Sequence, residues 1–97
     1  MATQAKGYNF SAIASLDPST AVACGRNGLI IRTIDGGYNW DSLSSGTSER
    51  LRGIAFANDM LGVIVGDFGY ITRTTDAGLS WNYVSSSTSK FLYSVAF

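Results

Sequence analysis

The feature that most limits how this chain can fold is an eight-residue motif that it contains twice. The first copy runs from Thr33 to Trp40 and the second from Thr74 to Trp81, so Thr, Asp, Gly and Trp recur at an offset of 41 residues. The same offset aligns further identical pairs: Ile13 with Ile54, Val22 with Val63, Gly25 with Gly66, and Arg32 with Arg73. A repeat of this length is typical of propeller blades.

Each repeat contains four short, strand-like runs separated by glycine, asparagine, serine and threonine. The runs are 10–15, 21–24, 29–33 and 39–43 in the first repeat, and 51–56, 62–65, 70–74 and 80–84 in the second. Asn27-Gly28 is a strong hairpin-turn signal, because both residues tolerate a positive φ. No long segment repeats apolar residues at helical spacing. We therefore predict an all-β fold built from propeller blades of four antiparallel strands, with the ring incomplete in one chain.

The repeat also sets the expected organisation of the chain. We expect an N-terminal lead-in at 1–7, blade 1 at 8–48, blade 2 at 49–89, and the first strand of a further blade at 90–97. A propeller ring closes with about four to eight blades, so the two blades and one strand of this chain need further blades to close a ring. Either several copies associate head to tail, or the chain is an engineered or excerpted piece of a longer propeller. In a ring of copies, segments 10–15 and 92–97 would compete for one first-strand position.

The octet pattern, Thr-x-Asp-x-Gly-x-x-Trp, resembles the Asp-box or BNR repeat of β-propellers. The wider pattern, Gly-x-x-Gly-x-Ile-x-Arg followed by the octet, is most similar to the photosystem II stability and assembly factor family, and it spans residues 8–97. It departs at Ala77, where that family usually has a second glycine. The resemblance implies that the box is a folding element at the hairpin between the third and fourth strands. Its expected structural residues are Thr33, Asp35, Gly37, Trp40, Thr74, Asp76, Gly78 and Trp81.

The same resemblance suggests a binding function, because basic residues on one propeller face receive a polypeptide partner in that family. The corresponding candidates here are Arg50, Arg52, Arg73, Tyr70 and Phe68. A solvated rim explains Arg50 and Arg52 equally well. We expect a scaffold or a protein- or peptide-binding module, completed as a homo-oligomer. The alternatives are a carbohydrate-binding propeller, which needs exposed aromatic residues in each blade, and a propeller piece with no ligand.

Composition argues against several other classes of function. The chain has no histidine and one cysteine, so an imidazole base and a multi-thiolate zinc site are both missing. Sialidases share the Asp-box, but no paired-carboxylate or Tyr–Glu constellation is recognisable, so we expect no catalytic residue, no metal and no cofactor. Arg32 and Arg73 recur in step with the box, and we interpret them as contacts between blades. Cys24 replaces Val65 of the second repeat, which indicates a buried apolar role.

Charge and hydropathy bear on partners and location. Seven basic residues balance seven acidic ones, so no overall field favours nucleic acid or an anionic membrane. No apolar run approaches the length of a membrane span, and the first residues lack the apolar segment of a secretory signal. We therefore expect a soluble protein with no nucleic-acid or membrane partner, whose cellular location is unknown.

Overall fold

The computed structural model describes residues 10–85, Lys90 and Leu92. Within those residues it contains two four-stranded antiparallel sheets and no α-helix, so the all-β prediction is confirmed. Sheet 1 consists of β1 (Phe10–Ser15), β2 (Ala21–Gly25), β3 (Ile30–Thr33) and β4 (Asp41–Leu43). Sheet 2 consists of β5 (Leu51–Phe56), β6 (Gly62–Gly66), β7 (Ile71–Thr74) and β8 (Asn82–Val84). The expected lead-in at 1–7 and most of the strand expected at 90–97 lie outside the described residues.

The two sheets are built in the same register. Each is ordered as its strands follow along the chain, and each carries a bulge near the start of its first strand, between Phe10 and Ala12 and between Leu51 and Gly53. Ile13 pairs with Ala23 as Ile54 pairs with Ile64. Residues 41 positions apart therefore occupy corresponding places, and each sheet serves as a reference for the other.

The hairpins divide between two ends of each sheet. At one end, which we call the turn end, short 3-10 segments at Arg26–Gly28 and Asp67–Gly69 join the second and third strands. Asn27 and Gly28 have φ of 59° and 69°, so the Asn-Gly turn predicted from the sequence is confirmed. Phe68 has the same left-handed φ of 58°, which is uncommon for a bulky side chain.

At the opposite end, which we call the box end, each octet hairpin lies beside the loop between the first and second strands. The Gly36 N–H donates to the Ser19 carbonyl at 2.9 Å, and the Ala77 N–H donates to the Met60 carbonyl at 3.0 Å. These two bonds correspond to each other in the repeat. They tie the octet to its own sheet and fix where its side chains project.

The largest group of buried side chains lies between the two sheets. Val22, Cys24 and Ile30 of sheet 1 pack against Leu51, Ile64 and Trp81 of sheet 2. A smaller cluster of Ala23, Ile31 and Trp40 lies on the other side of sheet 1. The apolar strand β2 is thus covered on both faces, as its composition predicts. No helix in the described part of the chain is long and apolar enough to cross a membrane.

Candidate functional site

The first octet is a turn closed by its own side chains. The Thr33 hydroxyl donates to Asp35 Oδ1 at 2.8 Å and accepts the Gly37 N–H at 3.0 Å. Asp35 Oδ1 accepts the backbone N–H of Asn39 at 2.9 Å, and Asp35 Oδ2 accepts the side-chain amide of Asn39 at 2.7 Å. The indole N–H of Trp40 donates to the Gly37 carbonyl at 3.0 Å. Each position that the two octets share, Thr33, Asp35, Gly37 and Trp40 in this copy, therefore has a hydrogen-bonding or turn-forming role within the hairpin itself.

The second octet repeats this network bond for bond. The Thr74 hydroxyl donates to Asp76 Oδ1 at 2.8 Å and accepts the Gly78 N–H at 2.9 Å. The Ser80 N–H donates to Asp76 Oδ1 at 2.9 Å, and the Ser80 hydroxyl donates to Asp76 Oδ2 at 2.5 Å. The Trp81 indole N–H donates to the Gly78 carbonyl at 2.9 Å. Asn39 and Ser80 thus donate to both carboxylate oxygens of the aspartate in their own octet, Asn39 through a side-chain amide and Ser80 through a hydroxyl group.

These bonds hold both carboxyl groups in the ionised form. The N–H and side-chain amide of Asn39, with the Thr33 hydroxyl, lower the pKa of Asp35. The hydroxyl and N–H of Ser80, with the Thr74 hydroxyl, lower the pKa of Asp76 from 3.8 to about 2. A general acid or base at neutral pH needs a pKa shifted towards 7. Both aspartates are shifted the opposite way, so their chemistry suits a turn clamp and not proton transfer.

Arg32 connects the two sheets through the second octet. Its Nε donates to the Ala77 carbonyl at 3.0 Å, from β3 of sheet 1 to the box end of sheet 2. Val22, the cross-strand neighbour of Arg32, reaches the adjacent residue: a Cβ added to Gly78 would lie 2.8 Å from Val22 Cγ2. The box is therefore the surface on which the preceding sheet packs, in addition to being a hairpin.

Two of the candidate binding residues lie together at the turn end. The Arg52 guanidinium forms an ion pair with Asp67, and both side chains are largely buried. Phe68 follows Asp67 in the turn, and its side chain is 56% exposed. Arg50, one residue before β5, donates from Nε to the Ser11 hydroxyl at 3.3 Å, across to sheet 1. The turn end of sheet 2 therefore combines guanidinium groups with an exposed aromatic ring.

Tyr70 lies close to this group but faces the gap between the two outer strands. Its hydroxyl donates to the Ser45 carbonyl, and its ring centroid is 5.2 Å from that of Tyr83. Partial burial raises the pKa of Tyr70. An open groove of about 560 Å³ lies here, lined by Leu43, Ser44, Ser45, Gly46, Tyr70, Leu79, Ser80, Trp81, Asn82 and Tyr83. Sheet 1 has Asn27 and Leu29 where sheet 2 has Phe68 and Tyr70, so the aromatic residues are not repeated.

Arg73, the last of the candidate residues, has a different position. It pairs with Val63 and Asn82 towards the box end of β7, and its side chain is exposed. Alternation along β7 directs it to the face of sheet 2 that points away from sheet 1, because Thr72 points towards sheet 1 with Ile64. Arg50 and Arg52 lie at the start of β5, at the turn end. The three arginines therefore do not form one cluster in this chain.

Sequence reasoning missed several residues of this region. Asp67 was not recognised as the partner of Arg52, although opposite charges near a strand start and a neighbouring turn were a usable signal. Tyr83 and Ser45 were missed as the contacts of Tyr70, and only the three-dimensional course of the link 44–50 brings them there. Cys24 is buried as predicted, and burial raises its thiol pKa to about 12. Among residues 10–85, 90 and 92, no three His, Cys, Asp or Glu side chains are grouped to hold a metal ion.

Comparisons with known proteins agree with this architecture. The family model described as photosynthesis system II assembly factor YCF48 matches residues 2–90. No curated protein matches the sequence. A solved structure of YCF48 bound to D1 peptide is similar, with a TM-score of 0.76 and 22% sequence identity over 96% of this chain. The match covers 35% of the YCF48 chain, so this chain spans about a third of its length.

These matches settle the fold and the family. The structural similarity extends over nearly the whole chain, and the two sheets are a partial set of β-propeller blades, as predicted from the repeat. The family is one of assembly factors and not of enzymes, in agreement with octets whose carboxylates are engaged in turns. The chain therefore belongs to the photosynthesis system II assembly factor YCF48 family.

Proposed function

We propose that this chain is a non-enzymatic propeller module that binds a segment of another protein and acts as a scaffold. The observation that carries the proposal is the turn end of sheet 2, where Arg50, the ion pair of Arg52 with Asp67 and the exposed ring of Phe68 are found at the same end of the sheet. Guanidinium groups provide several donors in a fixed geometry for carboxylates and peptide carbonyls, and an aromatic ring provides apolar contact area. This combination suits an extended peptide that carries an acidic group beside an apolar side chain.

The strained backbone of the turn supports a binding role for Phe68. A phenylalanine at a φ of 58° costs more than the asparagine at the corresponding position of sheet 1. The side chain is held out at the surface and does not fill the core between the sheets. Backbone strain of this kind clusters at ligand-binding positions. Aromatic residues and arginine are enriched at protein interfaces.

The family supports a polypeptide as the ligand. The similar solved structure is of YCF48 bound to D1 peptide, and the present chain spans about a third of that protein. The carbohydrate alternative predicts exposed aromatic residues in each blade. They do not repeat here, since sheet 1 has Asn27 and Leu29 in place of Phe68 and Tyr70, and its exposed Tyr38 corresponds to Leu79. A protein or peptide is therefore the ligand class that the surface favours.

The proposal is tested by titrating fluorescently labelled D1 peptide with the whole chain and following fluorescence anisotropy. Phe68→Ala and Arg50→Ala are expected to weaken binding about tenfold or more, because each removes an anchor of the peptide. Tyr38→Ala is the matched control: this ring is 77% exposed, but it lies in the octet at the box end. Equal affinity for all variants, or no binding by the unsubstituted chain, would overturn the peptide-binding proposal. An additional loss in Arg73→Ala would extend the surface to the box end.

The scaffold role includes self-assembly. Blades of a propeller bury their faces against neighbouring blades, and each sheet of this chain has one face packed on the other sheet and one facing outwards. We propose that copies of the chain associate through these outward faces. Light scattering over a range of protein concentrations measures the association, and a molar mass of one chain at every concentration would contradict it.

A further inference from the structure

The two outward faces of the chain have complementary features. The contact between sheets 1 and 2 is an internal example of how one repeat packs on the next. In it, Arg32 and Val22 of the first sheet are received by the Ala77 carbonyl and by Gly78 of the second. Arg73 and Val63 stand 41 residues after Arg32 and Val22, and Gly36 and Gly37 stand 41 residues before Ala77 and Gly78. We call the outward face of sheet 2 that carries Arg73 and Val63 the donating face, and the outward face of sheet 1 that carries Gly36 and Gly37 the receiving face. Both sets are present in the described residues, on opposite outward faces.

The receiving face of sheet 1 has an open cavity. At the corresponding place on sheet 2, side chains of sheet 1 fill the space. This cavity of about 220 Å³ has Ile13, Ser15, Gly36, Gly37 and Trp40 among its lining residues. A Cβ added to Gly78 would be 2.8 Å from Val22, whereas a Cβ added to Gly37 would meet only Trp40, at 3.8 Å. Ile54 packs on the core between the sheets, whereas its counterpart Ile13 is 64% exposed. The cavity thus corresponds to the place that Val22 fills next to sheet 2.

The donating face of sheet 2 has the matching groups. Val63, Val65 and Ile71 correspond to Val22, Cys24 and Ile30, which supply the sheet 1 side of the internal core. Val65 is only 5% exposed in the chain, so Val63 and Ile71 are the two that a second copy can contact. Arg73 stands beside Val63 as Arg32 stands beside Val22. Its guanidinium is exposed and has no hydrogen bond or ion pair within the described part of the chain. A carbonyl at the position of Gly36 would satisfy it as the Ala77 carbonyl satisfies Arg32.

We propose that the outward face of sheet 2 in one copy packs on the outward face of sheet 1 in a second copy. Val63 enters the cavity beside Gly37 and Trp40, and Arg73 donates to the Gly36 carbonyl. This inference rests on the proposed self-assembly and specifies its interface. The contact is heterologous, because each copy contributes a different face to it, so copies can add head to tail. A second copy of this chain is the partner that the repeat itself matches.

One described contact opposes this association. The Leu92 N–H donates to the Gly66 carbonyl at 3.0 Å, at the turn end of the donating face. Leu92 is the counterpart of Leu51 and Phe10, so the partner's β1 would require the same position. Association therefore displaces Leu92, which weakens the interface relative to the internal one. Leu92→Pro removes this N–H, so it is expected to raise the association constant several-fold.

The interface is tested with variants that block one face each. Ile13→Lys places a charge on the receiving face, and Val63→Lys places one on the donating face. Each is expected to lower the association constant at least about tenfold, because a lysine would be desolvated in the contact. An equimolar mixture of the two variants is expected to form a species of two chains, since each retains one intact face. Sedimentation velocity, with circular dichroism to verify the fold, measures these masses.

Two further variants complete the test: Ile34→Lys is a control for Ile13→Lys, and Arg73→Ala is a second change on the donating face. Ile34→Lys is matched to Ile13→Lys, because Ile34 is 63% exposed and its counterpart Thr75 remains exposed next to sheet 1. It is expected to leave association unchanged. Val63 is half-buried, so Arg73→Ala tests the same face at an exposed position. It is expected to lower the association constant about tenfold, for the loss of a charged hydrogen bond.

The outcomes distinguish this inference from the proposed function. If the chain assembles but Ile13→Lys and Arg73→Ala have no effect, or if the mixture of Lys variants stays as single chains, this interface is wrong and self-assembly stands. If the unsubstituted chain has the mass of one chain at every concentration, both self-assembly and the interface are overturned. The titration with D1 peptide is a separate measurement, so neither of these results decides whether the chain binds peptide.

Discussion

The two octets have the same hydrogen bonds but different neighbours. Thr33 and Thr74 close their turns with bonds that agree within about 0.1 Å, and each tryptophan caps the carbonyl of its own glycine. Only the second octet lies against another sheet in the described residues, through Val22 and Arg32. The comparison indicates that the turn is an autonomous unit. Packing by a neighbouring blade is a second, separable use of the same residues.

The strongest way to break this comparison is a methyl group at the glycine of each octet. Gly78→Ala combines a positive φ of 85° with a 2.8 Å approach to Val22, so we expect it to lower the free energy of unfolding by about 3 kcal/mol. Gly37→Ala has a φ of 95°, but its Cβ would meet only Trp40, at an ordinary contact distance of 3.8 Å, and we expect a loss of about 1 kcal/mol. Urea unfolding at low protein concentration measures both. Equal losses would show that packing on the second octet contributes nothing.

The first strands of the two sheets, β1 and β5, carry an isoleucine at the same repeat position, Ile13 and Ile54, in two different environments. Ile54→Ala removes side-chain contacts with the core between the sheets, so we expect a loss of about 2 kcal/mol in the free energy of unfolding. Ile13→Ala changes a side chain that is 64% exposed, and we expect a loss below about 0.5 kcal/mol. The same unfolding measurement compares the two. A large loss at Ile13 in the single chain would mean that its face is already covered.

A smaller effect is expected from the charges of the two octets. The folded pKa of Asp76 lies at about 2, below its ordinary value of 3.8, and that of Asp35 is also lowered. The stabilisation from Asp76 is therefore complete above about pH 4 and is lost as the pH falls towards 2, and that from Asp35 is lost as the pH falls below the ordinary value of its carboxyl group. We expect Asp76→Asn to flatten the fall of Tm over this range, and Asp35→Asn to do so as well.

Thermal unfolding followed by circular dichroism from pH 5 to pH 2 checks these two variants. Asp17 also has a lowered pKa, from the N–H groups of Ser19 and Thr20, so part of the acid sensitivity is expected to remain. Asp59→Asn is the control, because this residue lies in an exposed loop outside both octets. An unchanged acid profile in both octet variants would mean that the ionised carboxylates do not stabilise their turns.

Most of the fold could be predicted from the repeat, because neighbouring residues in the sequence determine the turns and strands. The octets, the Asn-Gly turn and the eight strands each depend on residues within a few positions of one another. The positions of the candidate binding residues depend on register and on the bulge at the start of β5, which bring Arg52 to Asp67 and direct Arg73 to another face. No short stretch of sequence encodes that separation. The aligned repeat could have suggested it, since Arg32 and Arg73 share a register position.

The smallest expected effect concerns the open cavity of sheet 1 and the filled contact at the corresponding place on sheet 2. Ser15 stands where sheet 2 has Phe56, whose ring meets Trp81 edge-on at 6.1 Å. Ser15→Phe is expected to place a ring on Trp40 in the same way and raise the free energy of unfolding by about 0.5–1 kcal/mol. It loses only the bond from the Ser15 hydroxyl to the Asp17 carbonyl. Ser15→Ala removes that bond without adding a ring and is the control.

The same variant separates the two roles of the first octet. If a second copy packs on this face, a ring at position 15 fills part of the cavity of about 220 Å³ and gives Val63 more surface to contact. Ser15→Phe is then expected to raise the association constant several-fold, as measured by sedimentation velocity. A gain in stability with no gain in association would mean that the cavity is completed within the chain. That result would leave the octet as a turn clamp alone on sheet 1, while on sheet 2 it also holds the neighbouring blade.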